Sequence, residues 1–170
     1  MFKRIRLRFR DMKTLAKLIP GADKYANSMG EEKAGAEHFV LSALELADGS
    51  ARRAMEKLGI DSTRFRDAIK TQYDQALGSV GVTHNAVVTE PEPIATDSVF
   101  HESQPSGVDL IKSLHALKKQ DRQRPILGAH VILVAAAIEH GVVPRAFSVL
   151  GVDRDLLAQA ARQEIESTVC

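Results

Sequence analysis

Cysteine is nearly absent from this 170-residue chain, and the single one, Cys170, is the last residue. One thiol cannot form an intrachain disulfide, and a structural zinc site of the Cys-rich kind is excluded. Tryptophan is missing and aromatics make up only 5% of the residues, which leaves little surface on which nucleic-acid bases can stack. Long apolar runs are missing as well. The most apolar stretch, Val131 to Ile138, is far shorter than the roughly 20 residues needed to cross a bilayer. No charge sign dominates: 23 Lys and Arg against 22 Asp and Glu give a formal net charge of +1, which supplies no global attraction to nucleic acid or to an acidic partner. The expectation is a cytoplasmic protein, monomeric, with no membrane partner and no leader segment.

The remaining composition is that of a globular chain. With 44% hydrophobic and 26% charged residues, it buries a core and forms one domain or two small repeats that share one. The charge is nonetheless uneven. Between Met1 and Lys17 the basic residues Lys3, Arg4, Arg6, Arg8, Arg10, Lys13 and Lys17 face one acid, Asp11. Such an end fits a phosphate or an acidic protein face, or simply a solvated first helix with its apolar side docked.

Helical periodicity runs through most of the sequence. In Gly35 to Leu46, Phe39, Val40, Ala43, Leu44 and Ala47 recur at helical spacing, which predicts a helix starting near Glu37. Asp48-Gly49-Ser50 stops it and offers Ser50 as cap for Ala51 to Leu58, which Gly59 ends. Asp61 or Ser62 caps a third helix to about Ala76, with Phe65, Ala68, Ile69 and Tyr73 inside. The pattern then returns. His130 to Glu139 reads as a nearly all-apolar, buried helix, Val143 to Leu150 as a short one closed by Gly151, and Asp153 caps the last, Leu156 to Ser167.

Register ties the two halves together. At an offset of 92, His38 falls on His130, Leu41 on Leu133, Arg53 on Arg145, Leu58 on Leu150, Gly59 on Gly151, Asp61 on Asp153 and Ala68 on Ala160, without a gap. An ungapped match of this kind points to a duplication. The expected fold is all-α: a first repeat over 1–77, a linker or mobile loop over 78–107 and a second repeat over 108–167, packed as one compact domain. In front of the repeats, Pro20-Gly21 is expected to break Met12 to Leu18 from Ala22 to Met29, and Val108 to Lys119 forms a further helix. A weak hairpin is expected in Val80 to Thr89.

Chemistry-bearing motifs are scarce. There is no GxSxG, no HExxH and no GxxxxGK[ST], so neither hydrolysis nor ATP binding by those routes is expected. His38 and His130 sit at equivalent helix starts and read as structural, each imidazole bonding to the preceding loop or a neighbouring helix end. His84 and His101 form a weak metal pair in the linker. The repeated helices are too apolar to serve as recognition helices for DNA. No catalytic, metal or cofactor site is expected.

The repeated motif resembles the Clp amino-terminal repeat, the double helical domain at the front of the Clp family of AAA+ unfoldases, particularly its ClpC-like branch. The residues that carry the resemblance are Gly35-Ala36-Glu37-His38, Asp48-Gly49 and Leu58-Gly59-Ile60-Asp61 in the first copy. The second has Gly128-Ala129-His130, His140-Gly141 and Leu150-Gly151-Val152-Asp153. The opening Met1-Phe2-Lys3-Arg4 is similar to the family start. The resemblance implies a non-enzymatic protein- or peptide-binding module, an adaptor, decoy or regulator of a Clp ATPase–protease system, whose partners are the ATPase, its adaptors or its substrates. It also implies a stand-alone version, since no ATPase module follows. The family's glutamate before the motif histidine helps bind phosphorylated arginine, and Glu37 stands in that place. Copy two has Ala129 there, and Ala36 replaces the family's threonine. A binding domain for an unrelated protein is the alternative, and a small helical nucleic-acid-binding regulator a more distant one.

Overall fold

In the computed structural model the described residues are 2–79 and 103–168, and every regular element among them is a helix. They are α1 (Phe2–Ser28), α2 (Ala36–Leu44), α3 (Ser50–Glu56), α4 (Ser62–Ser79), α5 (Pro105–Gln120), α6 (Gly128–Ala136), α7 (Val142–Val149) and α8 (Arg154–Ser167). The fold is all-α, as the periodicity requires. The hairpin expected in Val80 to Thr89 and the His84–His101 pair lie outside the described residues.

The two most apolar helices form the centre. All nine residues of α2 are buried, and in α6 only Leu133 is not. These helices pack on each other, with α1 against α2 and α5 against both. The outer helices cross over: α3 packs on α8 and α4 on α7. In the offset-92 register α3 corresponds to α7 and α8 to α4, so these are the same contact made twice. The α4–α7 crossing is filled by Phe65 and Phe147, whose ring centroids are 5.4 Å apart. The α3–α8 crossing has buried Met55 and Leu157 at the matching positions.

Local hydrogen bonds keep the same register. Gly59 and Gly151 adopt φ of +72° and +66°, a conformation that costs glycine little and other residues more. Each closes a helix by the same pair of bonds. Gly59 N–H donates to Glu56 O (2.9 Å) and Ile60 N–H to Met55 O (3.2 Å), while Gly151 donates to Ser148 O (3.0 Å) and Val152 to Phe147 O (2.9 Å). This is the Schellman arrangement, with Ile60 folded back among the core residues. Asp153 caps α8, its Oδ1 accepting from Asp155 and Leu156 N–H at 2.9 and 3.2 Å. Asp61 accepts from Arg64 N–H at 2.8 Å in the same way.

Several expectations are corrected. Pro20-Gly21 does not break the first helix: α1 runs through both residues. A proline inside a helix costs about 3 kcal/mol, but Leu18, Ala22, Tyr25 and Ala26 are buried on either side of it, and burying side chains such as Leu18 repays about 1.5–3 kcal/mol each. The Ser42 hydroxyl of α2 also donates to the Leu18 carbonyl at 2.8 Å. Ser50 is not a cap but the first residue of α3. Asp48 does the capping, with Oδ1 accepting from Ser50 N–H at 2.9 Å and also from its hydroxyl. The segment expected as linker is shorter at both ends, because α4 reaches Ser79 and α5 begins at Pro105. Gly107 lies so close to the start of α2 that a Cβ there would stand 2.6 Å from the carbonyl of Ala34, just before the helix, and 2.9 Å from the Phe39 ring.

Ion pairs cross between the halves at two places among the described residues, Lys118 with Asp11 and a cluster around Glu164. Glu164 on α8 meets Arg53 Nε at 2.7 Å and Lys57 Nζ at 2.9 Å on α3. Burial by itself raises the Glu164 carboxyl, but the hydrogen bonds from Lys57 and Arg53 outweigh it and hold the group below its usual range. At the equivalent crossing the matching residues are Gln72 and Arg145, so the pair is made once.

Candidate ligand-binding clefts

The motif residues at the start of α2 turn inward. His38 is fully buried and its Nδ1 accepts the Gly35 N–H at 2.9 Å. This bond makes Nδ1 the acceptor and places the proton on Nε2, which is buried without a partner among the described residues. Burial lowers the His38 pKa, and the Glu37 carboxylate, 3.5 Å from Nδ1, opposes that only in part. The imidazole is therefore neutral and the contact with Glu37 is not an ion pair. Glu37 is 2% exposed. Its Oε1 accepts the Tyr73 hydroxyl at 2.5 Å, and its carboxylate lies against Gly35, where a Cβ would collide with it. Burial first, and then the bond to Glu37, raises the Tyr73 pKa.

The start of α6 repeats half of this. His130 is buried, Nδ1 accepts the Leu127 N–H at 3.1 Å, and burial again lowers its pKa. Ala129 supplies no carboxylate. The first backbone donor of α2 and the first two of α6 already have internal partners. Ala36 N–H donates to Ser106 Oγ at 3.2 Å, Gly128 N–H to Asp48 Oδ2 at 3.2 Å, and Ala129 N–H to Ser50 Oγ at 2.9 Å. A phosphoryl group drawn to the start of α6 meets amides that are engaged, one drawn to α2 meets the engaged Ala36 N–H, and a guanidinium drawn to Glu37 meets Tyr73. Among the described residues no three His, Cys, Asp or Glu side chains converge on a metal site.

Open space lies elsewhere. A cleft of about 1010 Å³ runs between α1 and α4, lined by Tyr25, Glu31, Glu45, Arg66, Lys70 and Tyr73 among others. Its wall is a polar network: the Tyr25 hydroxyl donates to Glu45, Arg66 Nη2 donates to the Tyr25 oxygen at 3.3 Å, and the Arg66 guanidinium lies 5.2 Å from the Tyr25 ring centre. Burial and the bond to Glu45 raise the Tyr25 pKa. A second cleft of about 1000 Å³ runs between α5 and α8 beside the end of α6. The two correspond at the offset of 92. Where the first has Tyr25, Glu45, Arg66 and Lys70, the second has Leu117, Ala137, Ala158 and Arg162. The second groove thus lacks the first one's tyrosine network, but it too is edged by charged side chains, among them Asp109, Glu139, Arg154 and Asp155.

Sequence reasoning gave Tyr73 an inward position but overlooked Tyr25, Glu45 and Arg66. A signal existed: the chain has two tyrosines, and both line the first cleft.

A helical register that recurs at an offset of 92, two buried histidine caps and crossed outer helices define a helical-repeat fold. Residues 13–93 match the family of the Clp repeat (R) N-terminal domain. Its fold is similar to the crystal structure of the N-terminal domain of the caseinolytic protease associated chaperone ClpD from Arabidopsis thaliana. The TM-score is 0.60 at 17% identity, over 90% of this chain and 92% of that one. No curated protein matches the sequence.

Proposed function

We propose that the chain is a non-enzymatic protein- or peptide-binding module that serves a Clp ATPase–protease system as adaptor, decoy or regulator. The observation that carries this reading is the pair of equivalent clefts, each large enough for several side chains of a peptide, in a fold similar to a Clp N-terminal domain. Their chemistry differs, so the two copies present unlike surfaces to a partner. Both grooves mix apolar surface with charged side chains, which suits an amphipathic segment.

The reading is tested with the purified chain added to a reconstituted Clp unfoldase and peptidase degrading a labelled protein. The expected result is a dose-dependent change in degradation rate that Leu117→Arg, in the second groove, abolishes. An unchanged rate, together with no retention of the unfoldase on the immobilised chain, overturns the link to a Clp machine and favours an unrelated protein partner.

The phosphoarginine reading of Glu37 is kept as a narrower proposal with its own requirement: Tyr73 must leave the carboxylate. Titration with free phosphoarginine is expected to show weak binding to the wild type, none to Glu37→Ala, and about tenfold tighter binding to Tyr73→Phe, a gain equal to one ordinary hydrogen bond that no longer has to be broken. Equal binding by wild type and Glu37→Ala removes Glu37 from the site.

A further inference from the structure

The outer side of α1 is used neither by the core nor by the clefts. Between Ile5 and Lys17 the helix shows three faces. The inner one is tied to the loop after α5: Ile126 N–H donates to Asp11 Oδ1 at 2.7 Å, Thr14 Oγ1 donates to the Ile126 carbonyl at 3.1 Å, and Lys118 pairs with Asp11 at 3.2 Å. Leu15 and Leu18 continue that face into the core. The second face carries Ile5, Phe9 and Met12, at i, i+4 and i+7, and they are 61%, 70% and 67% exposed. The third carries Arg6, Arg10, Lys13 and Lys17 in the adjacent stripe, and Arg8 borders the apolar stripe on its other side. All five cations are exposed, and none forms an ion pair among the described residues.

This differs from the docked apolar side expected of the first helix. The docked face is held by Asp11, Thr14 and leucines, and the stripe of Ile, Phe and Met faces water. Three large apolar side chains in one row, bordered by cations on both sides and by no free acid, match a surface that is apolar beneath and anionic above. We propose that this stretch of α1 is an interfacial anchor that lies flat on an anionic phospholipid surface. Ile5, Phe9 and Met12 enter the acyl boundary, and the arginines and lysines reach back to the headgroups. The stretch is about 18 Å long, the scale of a peripheral contact, and no described helix is long and apolar enough to cross a membrane. Duplex nucleic acid would engage the cations and leave the apolar stripe in water. A protein would need a groove with acids along both edges, whereas a lipid surface supplies that pattern everywhere. This contact is independent of the clefts and revises the expectation that membranes play no part.

The test is flotation of the intact chain with vesicles of phosphatidylcholine alone and of phosphatidylcholine mixed with phosphatidylglycerol, at low and high salt. Binding is expected only to the mixed vesicles and is expected to weaken with salt. Arg6→Glu with Arg10→Glu should reduce it at least about thirtyfold, since each basic side chain near an anionic surface contributes roughly fivefold. Phe9→Ala with Met12→Ala should reduce it about tenfold or more by removing buried apolar area. All four side chains are exposed, so circular dichroism and the thermal midpoint should not change. Equal flotation with both vesicle types, or no flotation, overturns the proposal. So does binding that the charge reversals abolish but the Phe9 and Met12 replacements leave intact. Binding to duplex DNA in place of vesicles would assign the stripe to nucleic acid and overturn it as well.

Discussion

His38 and His130 each stand at the third position of a helix and accept the N–H of the residue before it. A Glu or Gln commonly fills this role by reaching back to the cap amide. Gly35 and Leu127 have no side-chain acceptor to return the bond, so the imidazole does the capping alone. It can do so only while Nδ1 is unprotonated, and burial keeps both rings in that state by lowering their pKa. The linkage follows directly. Unfolded histidines take up a proton below about pH 6.5 and the folded ones resist it, so their contribution to stability is complete above that pH. It is lost as pH falls from there toward the lowered native values, at up to about 1.4 kcal/mol per pH unit for each ring. Urea unfolding between about pH 7.5 and 5.5 should show this slope, and His38→Gln, which keeps an acceptor without a titration in that window, should remove about half of it. An unchanged slope would show that the caps are not the titrating groups. Tyr73→Phe belongs to the same scale: it leaves a 2%-exposed Glu37 carboxylate without that donor and should cost about 1–3 kcal/mol.

At the scale of elements, Gly21 decides how closely α1 and α2 approach. A Cβ there would collide with Ser42 Oγ, and that hydroxyl is held by its bond to the Leu18 carbonyl. Replacing a mid-helix glycine with alanine ordinarily gains about 1 kcal/mol. Here overpacking costs about 1–3 kcal/mol and the displaced hydroxyl bond about 1 kcal/mol more, so Gly21→Ala should destabilise, by roughly 1–3 kcal/mol net. Adding Ser42→Ala should recover most of the loss, and thermal or urea midpoints of the four variants measure the coupling. The same position marks where the sequence stopped being legible. Periodicity and capping residues located α2 to α8 to within a few residues because their signals are local: an apolar face, an Asp cap, a glycine with positive φ. Pro20-Gly21 carries an equally local signal for a break, which burial on a distant helix overrides. The clefts were not legible, because Tyr25, Glu45 and Arg66 are separated along the chain and meet only after α1, α2 and α4 have packed. Glu37 was placed correctly at a helix start, but no local pattern shows that Tyr73, 36 residues on, folds over it.

For the molecule as a whole, the decisive feature is that the copies exchange their outer helices' partners. The central contact joins α2 of one half to α6 of the other, α4 finds its main outer partner in α7, and α3 finds its own in α8 and α6. Phe65, fully buried, lies against Phe147 of the other half, and Glu164 is neutralised by Arg53 and Lys57 across the same boundary. A half alone would expose these faces, and at about 80 residues it would be near the size below which a single core is marginal. The expected outcome is that a fragment spanning residues 1–79 shows little helical signal and no cooperative thermal transition, and that mixing it with a fragment spanning 103–170 restores both. Phe147→Ala in the second fragment should weaken the reassembly strongly, since removing a buried phenylalanine costs about 3–5 kcal/mol. Cooperative folding of the first fragment by itself would instead make each copy an autonomous unit, with the crossed helices as a later contact between finished domains.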